Sequence, residues 1–408
     1  MLIEFSVENF MSFREEARLS LVASASKEHE DTHLVRSDLR GEESRLLRSA
    51  VIYGANAAGK SNFLIALGLM REMVVKSNQE IEVLPVEPFR FDPGCAGKPT
   101  ILEIIFVVDQ VRYQYGFAAT EQRIVKEWLF AWPRGRPQTW FTRDKETWKL
   151  GSKLSGDKDV WRRATRANAL FLSTAAALNS AQLMPIYQWF QNAFRAFPAG
   201  GFSNSFSIKC CHSDQKSEIL NFMNTADIAI SDIKIIEKDI TPDMLPDTMS
   251  QELKEDFIRS QAGKWQEIST IHDTGYWPPS KLEFGAESLG TQRLFSLSGP
   301  WIDTLKNGYV LAIDELHDSL HPNLLRFLID LFHDPNKNTN SAQLIFTTHD
   351  TSILNQEVFR RDQVWLCERN VRQESTLTPL TDFRPRKRHE NLEKAYLSGR
   401  YGAVPVLQ

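Results

Sequence analysis

Eight residues, Gly54-Ala55-Asn56-Ala57-Ala58-Gly59-Lys60-Ser61, constrain this chain more than any others. They fit the pattern G-x-x-x-x-G-K-[ST] in full. Before them stands a short apolar run, Ala50-Val51-Ile52-Tyr53, which reads as a buried parallel strand. After them residues 60–76 are apolar nearly all round (Phe63, Leu64, Ile65, Leu67, Leu69, Met70, Met73, Val74), which predicts a central buried helix. A glycine-rich turn that binds nothing needs neither neighbour. In this context the glycines let successive backbone N–H groups turn inward around a phosphate, and the helix N-terminus adds partial positive charge. A lysine at position 60 bridges β- and γ-phosphate oxygens, and a serine at 61 ligates Mg²⁺. ATP and Mg²⁺ are the expected ligands. Gly54, Asn56, Ala57, Gly59, Lys60, Ser61 and Asn62 are the candidate binding residues of this loop.

Two further apolar runs end in reactive side chains. Tyr309-Val310-Leu311-Ala312-Ile313 leads into Asp314-Glu315. Beside a phosphate loop, an Asp at a buried strand end holds Mg²⁺, and the Glu after it polarises the attacking water as general base. Successive strand residues point to opposite sides, so the two carboxylates serve different partners. Gln343-Leu344-Ile345-Phe346 leads into Thr347-Thr348-His349-Asp350, which places a hydrogen-bonding imidazole, His349, at a third strand end. Pro322 opens a helix between these runs, with Leu324, Leu325, Phe327, Leu328, Leu331 and Phe332 on one stripe. That is the pattern of a crossover helix packed on a sheet.

Composition bounds what surrounds this centre. The chain has 408 residues, with Lys+Arg 48 against Asp+Glu 52, which argues against a surface built wholly for polyanions. No apolar run is long enough to span a membrane. Met1-Leu2-Ile3-Glu4-Phe5 lacks a basic stretch followed by an apolar one, so no secretory leader is expected and a reducing cytoplasm is the expected compartment. The cysteines Cys95, Cys210, Cys211 and Cys367 include no C-x-x-C, so neither a zinc site nor a disulfide framework is expected.

Along the chain, Ile3, Phe5 and Val7 alternate, Asn9 to Ser12 turns, and Ala17, Leu19 and Leu21 alternate again, predicting a β-hairpin. Residues 24–47 read as a loop. Ile101–Val108 and Val111–Ala119, split by Asp109-Gln110, predict a hairpin within an antiparallel lobe over 81–143. Residues 157–196 carry helical signals, and 213–262 are charged and mixed, with Pro242 and Pro246 marking loops. Neither a long heptad run nor an internal repeat is present. The expected organisation is an N-terminal part over 1–150, a mainly helical insertion over 151–285, and a C-terminal part over 286–408 that ends in a basic tail.

These motifs together resemble the ABC-type ATPases of the SMC, RecF and OLD-like group. Asn9-Phe10-Met11-Ser12-Phe13-Arg14 is similar to the N-F-x-S-F start of those proteins, Gly54–Ser61 to their Walker A loop, Leu311–Glu315 to their Walker B strand, and Thr347-Thr348-His349 to their switch-histidine strand. Glu287-Ser288-Leu289-Gly290-Thr291-Gln292-Arg293 resembles their signature segment, with Thr291 where the usual form has a second Gly. The resemblance implies an α/β fold: an ABC/SMC-type P-loop ATPase head with a mixed central sheet, an antiparallel β lobe and a mainly helical insertion. It also implies a homo-oligomer of head-to-tail ATP-sandwich dimers, in which Ser288 and Gly290 of one subunit cap the γ-phosphate of the next.

The segment Asn391–Pro405 is similar to the tail of stand-alone bacterial defence ATPases of the RloA-like and PARIS (AriA-like) kinds. That resemblance implies control of a separate toxic effector, a nuclease or toxin, in answer to a phage-derived trigger protein. A DNA-repair ATPase similar to RecF, binding DNA directly, is the alternative. A scaffold that binds ATP without hydrolysing it is a third reading, against which Glu315 stands. The stretch after His349 is too short for the Toprim nuclease domain that some relatives carry. No zinc-hook C-x-x-C exists, and the separation of Lys60 from Ser288 is too long for a transporter subunit. The run Arg384-Pro385-Arg386-Lys387-Arg388-His389 leaves nucleic acid open as a partner. Tyr396 and Tyr401, with Gly399 and Gly402, suggest a recognition peptide in a region where disorder is expected. Phe10–Arg14 holds the candidate adenine-reading side chains.

Overall fold

The computed structural model describes residues 1–408 except 38, 40, 78–82, 134, 198–202, 247–248, 261–263, 385–389 and 406–408. The chain divides into two compact units, Met1–Gly201 with Asp303–Gln408, and Phe202–Ile302. Residues 151–201 thus belong with the first unit, and the segment around Ser288 belongs with the second. The second unit therefore begins and ends later than the expected 151–285.

The larger unit holds two principal sheets. In the first, Phe194–Phe197, Val310–Ile313, Gln343–Thr347, Ser49–Tyr53 and Val364–Arg369 run parallel in that spatial order, with Ser375–Pro379 antiparallel at the edge. Ser49–Tyr53 is buried throughout, as a strand with neighbours on both sides and layers on both faces must be. The second sheet is antiparallel and seven-stranded. Thr100–Val108 and Val111–Ala119 form its expected hairpin, closed by Asp109 (φ 48°) and Gln110 (φ 63°). Two consecutive left-handed residues are what a two-residue turn needs to match the strand twist.

The N-terminal hairpin, Leu2–Glu8 with Ala17–Ser20, extends this second sheet, since Leu2–Glu8 also pairs with Thr100–Val108. A register shift between Leu2 and Glu4 places Leu2 in the same core as Phe5 and Val7, while Ile3 packs with Leu46, Ile105 and Val107. The strict alternation of Ile3, Phe5 and Val7 is broken by that bulge.

The helix Lys60–Lys76 explains its own all-round apolarity. Phe63 meets Phe5 (ring centroids 5.5 Å) and Phe13 (5.9 Å) from the antiparallel side. Leu64, Leu67 and Met70 share one core with Ile52, Ala312 and Ile345 of the parallel sheet. A single buried amide stitches the sheets together: Gln343 Oε1 accepts from Leu2 N (2.6 Å), and its Nε2 donates to Leu2 O (3.0 Å) and Leu47 O (3.1 Å).

Two expectations are corrected here. Residues 24–47 are not an open loop. A short helix, Glu30–His33, leads into paired strands Leu34–Arg36 and Arg45–Leu47. The helical signals of 157–196 end early, and Phe194–Phe197 is an edge strand beside Val310–Ile313, because its aromatic side chains pack better on a sheet than on a short helix. The expected crossover helix is Pro322–His333, buried through Leu325, Leu328, Ile329 and Phe332.

The smaller unit carries helices Ser205–His212, Lys216–Thr225 and Gln251–Ser260 and a three-stranded antiparallel sheet of Asp232–Asp239, Lys264–His272 and Ser280–Glu283. Its insertion is mixed in character, with a sheet beside the expected helices. Among the described residues no helix is long and apolar enough to cross a membrane.

Candidate functional site: a phosphate loop and an acidic strand end

The loop Gly54–Ser61 joins the strand Ser49–Tyr53 to the helix Lys60–Lys76. Its curvature requires positive φ at Ala57 (60°) and at Gly59 (111°), the residue that precedes the helix. A Cβ at Gly59 would lie 2.4 Å from Ser375 Oγ and 2.8 Å from Ser12 Oγ, and one at Gly54 would lie 2.3 Å from Cys367 O. The loop is therefore clamped from outside. Ser375 Oγ donates to Ala58 O (2.6 Å), Ser375 N donates to Ser12 O (2.7 Å), and Asn62 Nδ2 donates to Ser12 Oγ (2.8 Å).

Lys60 is buried and folds back over the loop, donating to Gly54 O (2.9 Å) and Ala55 O (3.0 Å). Burial pulls its pKa below the ordinary lysine value, while Asp314 and Glu315 oppose that shift. Ser61 and Asn62 stand half-buried on the first turn.

Asp314 follows the strand Val310–Ile313, two strands from Ser49–Tyr53. Its carboxylate is buried; Oδ1 accepts from Thr347 Oγ1 (2.6 Å), and Oδ2 has no hydrogen-bond partner. An orphaned buried carboxylate oxygen costs free energy unless a cation satisfies it. Asp314 thus has a free oxygen that fits a cation such as Mg²⁺. Glu315 is exposed, with φ 48°, so its side chain leaves the sheet in another direction from that of Asp314. Its backbone N–H donates to the same Thr347 Oγ1 (2.8 Å).

His349 lies beyond the strand Gln343–Thr347. Burial, then the charge of Lys60, push its pKa down to about 4, so its ring is neutral at physiological pH. His317 packs edge-on to it at 5.7 Å, and burial lowers that pKa too. The parallel sheet thus brings Asp314, Glu315 and His349 to its strand ends, and Lys60 opens the helix after the phosphate loop. Phe10 and Phe13 are core residues, and Arg14 pairs with Asp92 (2.9 Å) and Glu374 (3.0 Å), so neither aromatic is free to stack on a base.

Ser288 and Gly290 lie in the smaller unit. Ser288 precedes the helix Leu289–Asn307, is exposed, and accepts from Thr291 N through Oγ (3.1 Å). Its hydroxyl also shares a hydrogen bond with Thr291 Oγ1 (2.8 Å), so the threonine that replaces the usual glycine fixes the serine hydroxyl. Glu287 accepts from His272 Nε2 (2.7 Å) and from Thr270, tying this helix start to the three-stranded sheet.

Sequence reasoning missed Thr347 as the bridge between the two carboxylate positions, and Ser12, Ser375 and Cys367 as the outer clamp. Thr347 sat in plain view at a strand end, but a hydroxyl there has no signature of its own. The basic run mostly lies outside the described residues, at 385–389.

Residues 49–355 match the family described as "AAA domain, putative AbiEii toxin, Type IV TA system". The chain belongs to this family. The phosphate loop and the acidic strand end both lie within the matched residues. No curated protein matches it. Among solved structures it is similar to an Smc head bound to the C-winged helix domain of ScpA (10% identity, 92% of this chain and 96% of that one, TM-score 0.41). It is also similar to an Smc head with an extended coiled coil, bound to the C-terminal domain of ScpA derived from Pyrococcus furiosus (12%, 93% and 97%, 0.37). The recombination mediator protein RecF, of the RecFOR pathway, is a third (13%, 92% and 98%, 0.35).

Proposed function

We propose that this protein is a Mg²⁺-dependent ATP-hydrolysing switch that works through a partner protein. The observation that carries this reading is Asp314, buried with one carboxylate oxygen unsatisfied at the strand end next but one to the phosphate loop. In this reading Gly54, Asn56, Ala57, Gly59 and Asn62 shape and back the loop. Lys60 leaves the carbonyls of Gly54 and Ala55 to neutralise the phosphates. Ser61 and Asp314 would hold Mg²⁺, which would supply positive charge against the phosphate oxygens.

Glu315 accepts the proton of the attacking water, and His349, neutral, donates a hydrogen bond toward the γ-phosphate. Ser288 and Gly290, from a second copy, complete the site, so ATP closes head-to-tail dimers and hydrolysis reopens them. The family's description as a toxin and Type IV TA system supports a regulatory role toward a separate effector. We place the protein in the cytoplasm, as the sensor of an antiviral system with a phage-derived trigger protein.

The test is phosphate release from ATP by the wild type beside Glu315→Gln, with and without DNA, reading oligomeric state in the same samples. The variant is expected to lose about 10²–10⁴-fold in turnover, as removal of a general base does. It is also expected to accumulate as a larger ATP-bound assembly. Normal hydrolysis in the variant places the base elsewhere, and strong stimulation by DNA alone moves the protein to a DNA-repair role.

A further inference from the structure

The segment Asn391–Pro405, whose tyrosines suggest an exposed recognition peptide, is folded against the phosphate loop. Helix Leu392–Leu397 is capped by Asn391, whose side chain accepts from Lys394 N (2.8 Å). The chain then turns through Gly399 (φ 76°), Gly402 (φ 66°) and Ala403 (φ 60°), returning so that the Tyr396 hydroxyl donates to Ala403 O (3.1 Å). Tyr396 and Tyr401 are 6% and 1% exposed, so neither is a free aromatic handle.

Three attachments join this closed turn to the site. The backbone N–H of Gly54, first residue of the phosphate loop, faces the Tyr396 hydroxyl oxygen, and the Tyr396 ring lies 5.7 Å from that of Tyr53. Thr351, two residues beyond His349, donates through Oγ1 to Glu393 Oε1 (2.9 Å). Gly402 passes so close to Glu368 that a Cβ there would lie 3.0 Å from the carboxylate, and Glu368 follows Cys367, whose carbonyl backs Gly54. Tyr53 closes the circuit by donating to Asp350 O (3.0 Å).

A six-residue helix has no stability of its own in water, so these attachments are what hold the segment in place. They lead to both ends of the phosphate site. Lys60 donates to Gly54 O, on the residue whose N–H faces Tyr396, so a triphosphate that draws Lys60 away releases the peptide that follows the one beside the tyrosine. A γ-phosphate bound by His349 pulls on the backbone that carries Thr351.

We infer that Tyr396 is a positioning residue for the phosphate loop, and that residues 391–405 form a clasp whose docking depends on nucleotide occupancy. The inference rests on the nucleotide-site reading above. By linkage, a clasp that responds to nucleotide must in turn change nucleotide affinity by the same factor.

The experiment is amide hydrogen exchange on the full chain with and without adenylyl-imidodiphosphate and Mg²⁺, for the wild type, Tyr396→Phe and Thr351→Val. In the wild type, peptides covering 54–61 become protected, and peptides covering 391–405 change exchange rate by at least about threefold. Tyr396→Phe keeps the ring and removes the hydroxyl. It is expected to weaken analogue binding about fivefold, the worth of one net hydrogen bond, and to abolish the nucleotide response of 391–405 while 54–61 still responds. A purely structural tyrosine would leave that response intact. Protection at 54–61 with no change at 391–405 overturns the clasp and leaves the nucleotide site standing. No response at either place overturns both.

Discussion

Lys60 shows how one side chain is read differently by sequence and by structure. The motif names it as a phosphate ligand, and the fold shows where it rests, buried and hydrogen-bonded to Gly54 O and Ala55 O. Those bonds keep a buried ammonium satisfied and close at hand. Lys60→Ala is expected to weaken ATP binding by at least about tenfold, since hydrogen bonds to a charged group are worth about 1.5–3 kcal/mol. A fluorescence titration with a labelled nucleotide checks this, and unchanged affinity removes the phosphate-loop assignment. Asp314 and Glu315 were legible because an acidic pair after an apolar run, downstream of such a loop, has few other meanings. Thr347 was not, because its importance lies in two contacts to residues far away in sequence.

At the scale of elements, the loop and its helix followed directly from local pattern, and the helix is Lys60–Lys76 as expected. The clamp around the loop could not be foreseen, since Ser12 comes from one end of the chain and Cys367 and Ser375 from a strand pair near the other. The clamp has a measurable consequence. Gly59 combines a φ of 111° with side-chain oxygens where a Cβ would stand. Gly59→Ala is expected to destabilise the protein by about 1–3 kcal/mol, the usual range for a residue forced into a sparsely populated conformation. Chemical denaturation measures the loss, and an unchanged midpoint denies that the loop is held rigidly. The misread elements, 34–36, 45–47 and 194–197, are short strands whose partners decide their state. Three or four residues carry too little periodicity to declare themselves.

Two properties belong to the whole molecule. The first is acid sensitivity. His29, His33 and His333 stack in sequence, with ring centroids 4.5 and 3.7 Å apart, joining the Glu30–His33 helix to the crossover helix. His33 bonds Gln363 (2.7 Å) and His333 bonds Ser49 Oγ (2.8 Å). Burial pushes the His33 pKa down to about 4 and that of His333 well below the ordinary value. Unfolded histidines take up protons below about pH 6.5, while these rings refuse them. Stability is therefore complete above about 6.5 and falls toward pH 4, by about 1.4 kcal/mol per pH unit for each ring kept neutral. Denaturation midpoints from pH 7.5 to 4.5 check the slope, and a flat profile denies the buried neutral stack. The second property is assembly. Ser288→Arg is expected to leave ATP binding by the single chain intact and to prevent the larger ATP-bound species, read by light scattering; full assembly removes Ser288 from the shared site.

What the sequence by itself determined is the class of fold and where its motifs fall: a phosphate loop between a buried strand and a buried helix, carboxylates and a histidine at later strand ends, and an antiparallel lobe. These are set by patterns a few residues long, which physical chemistry reads locally. Only the tertiary structure decided which distant hydroxyls brace that loop, which short segment joins the parallel sheet, and that Tyr396 and Tyr401 turn inward, Tyr396 beside Tyr53. Each of those outcomes depends on contacts between residues more than a hundred positions apart. Their free energy exists only once both sheets have closed on the Lys60–Lys76 helix.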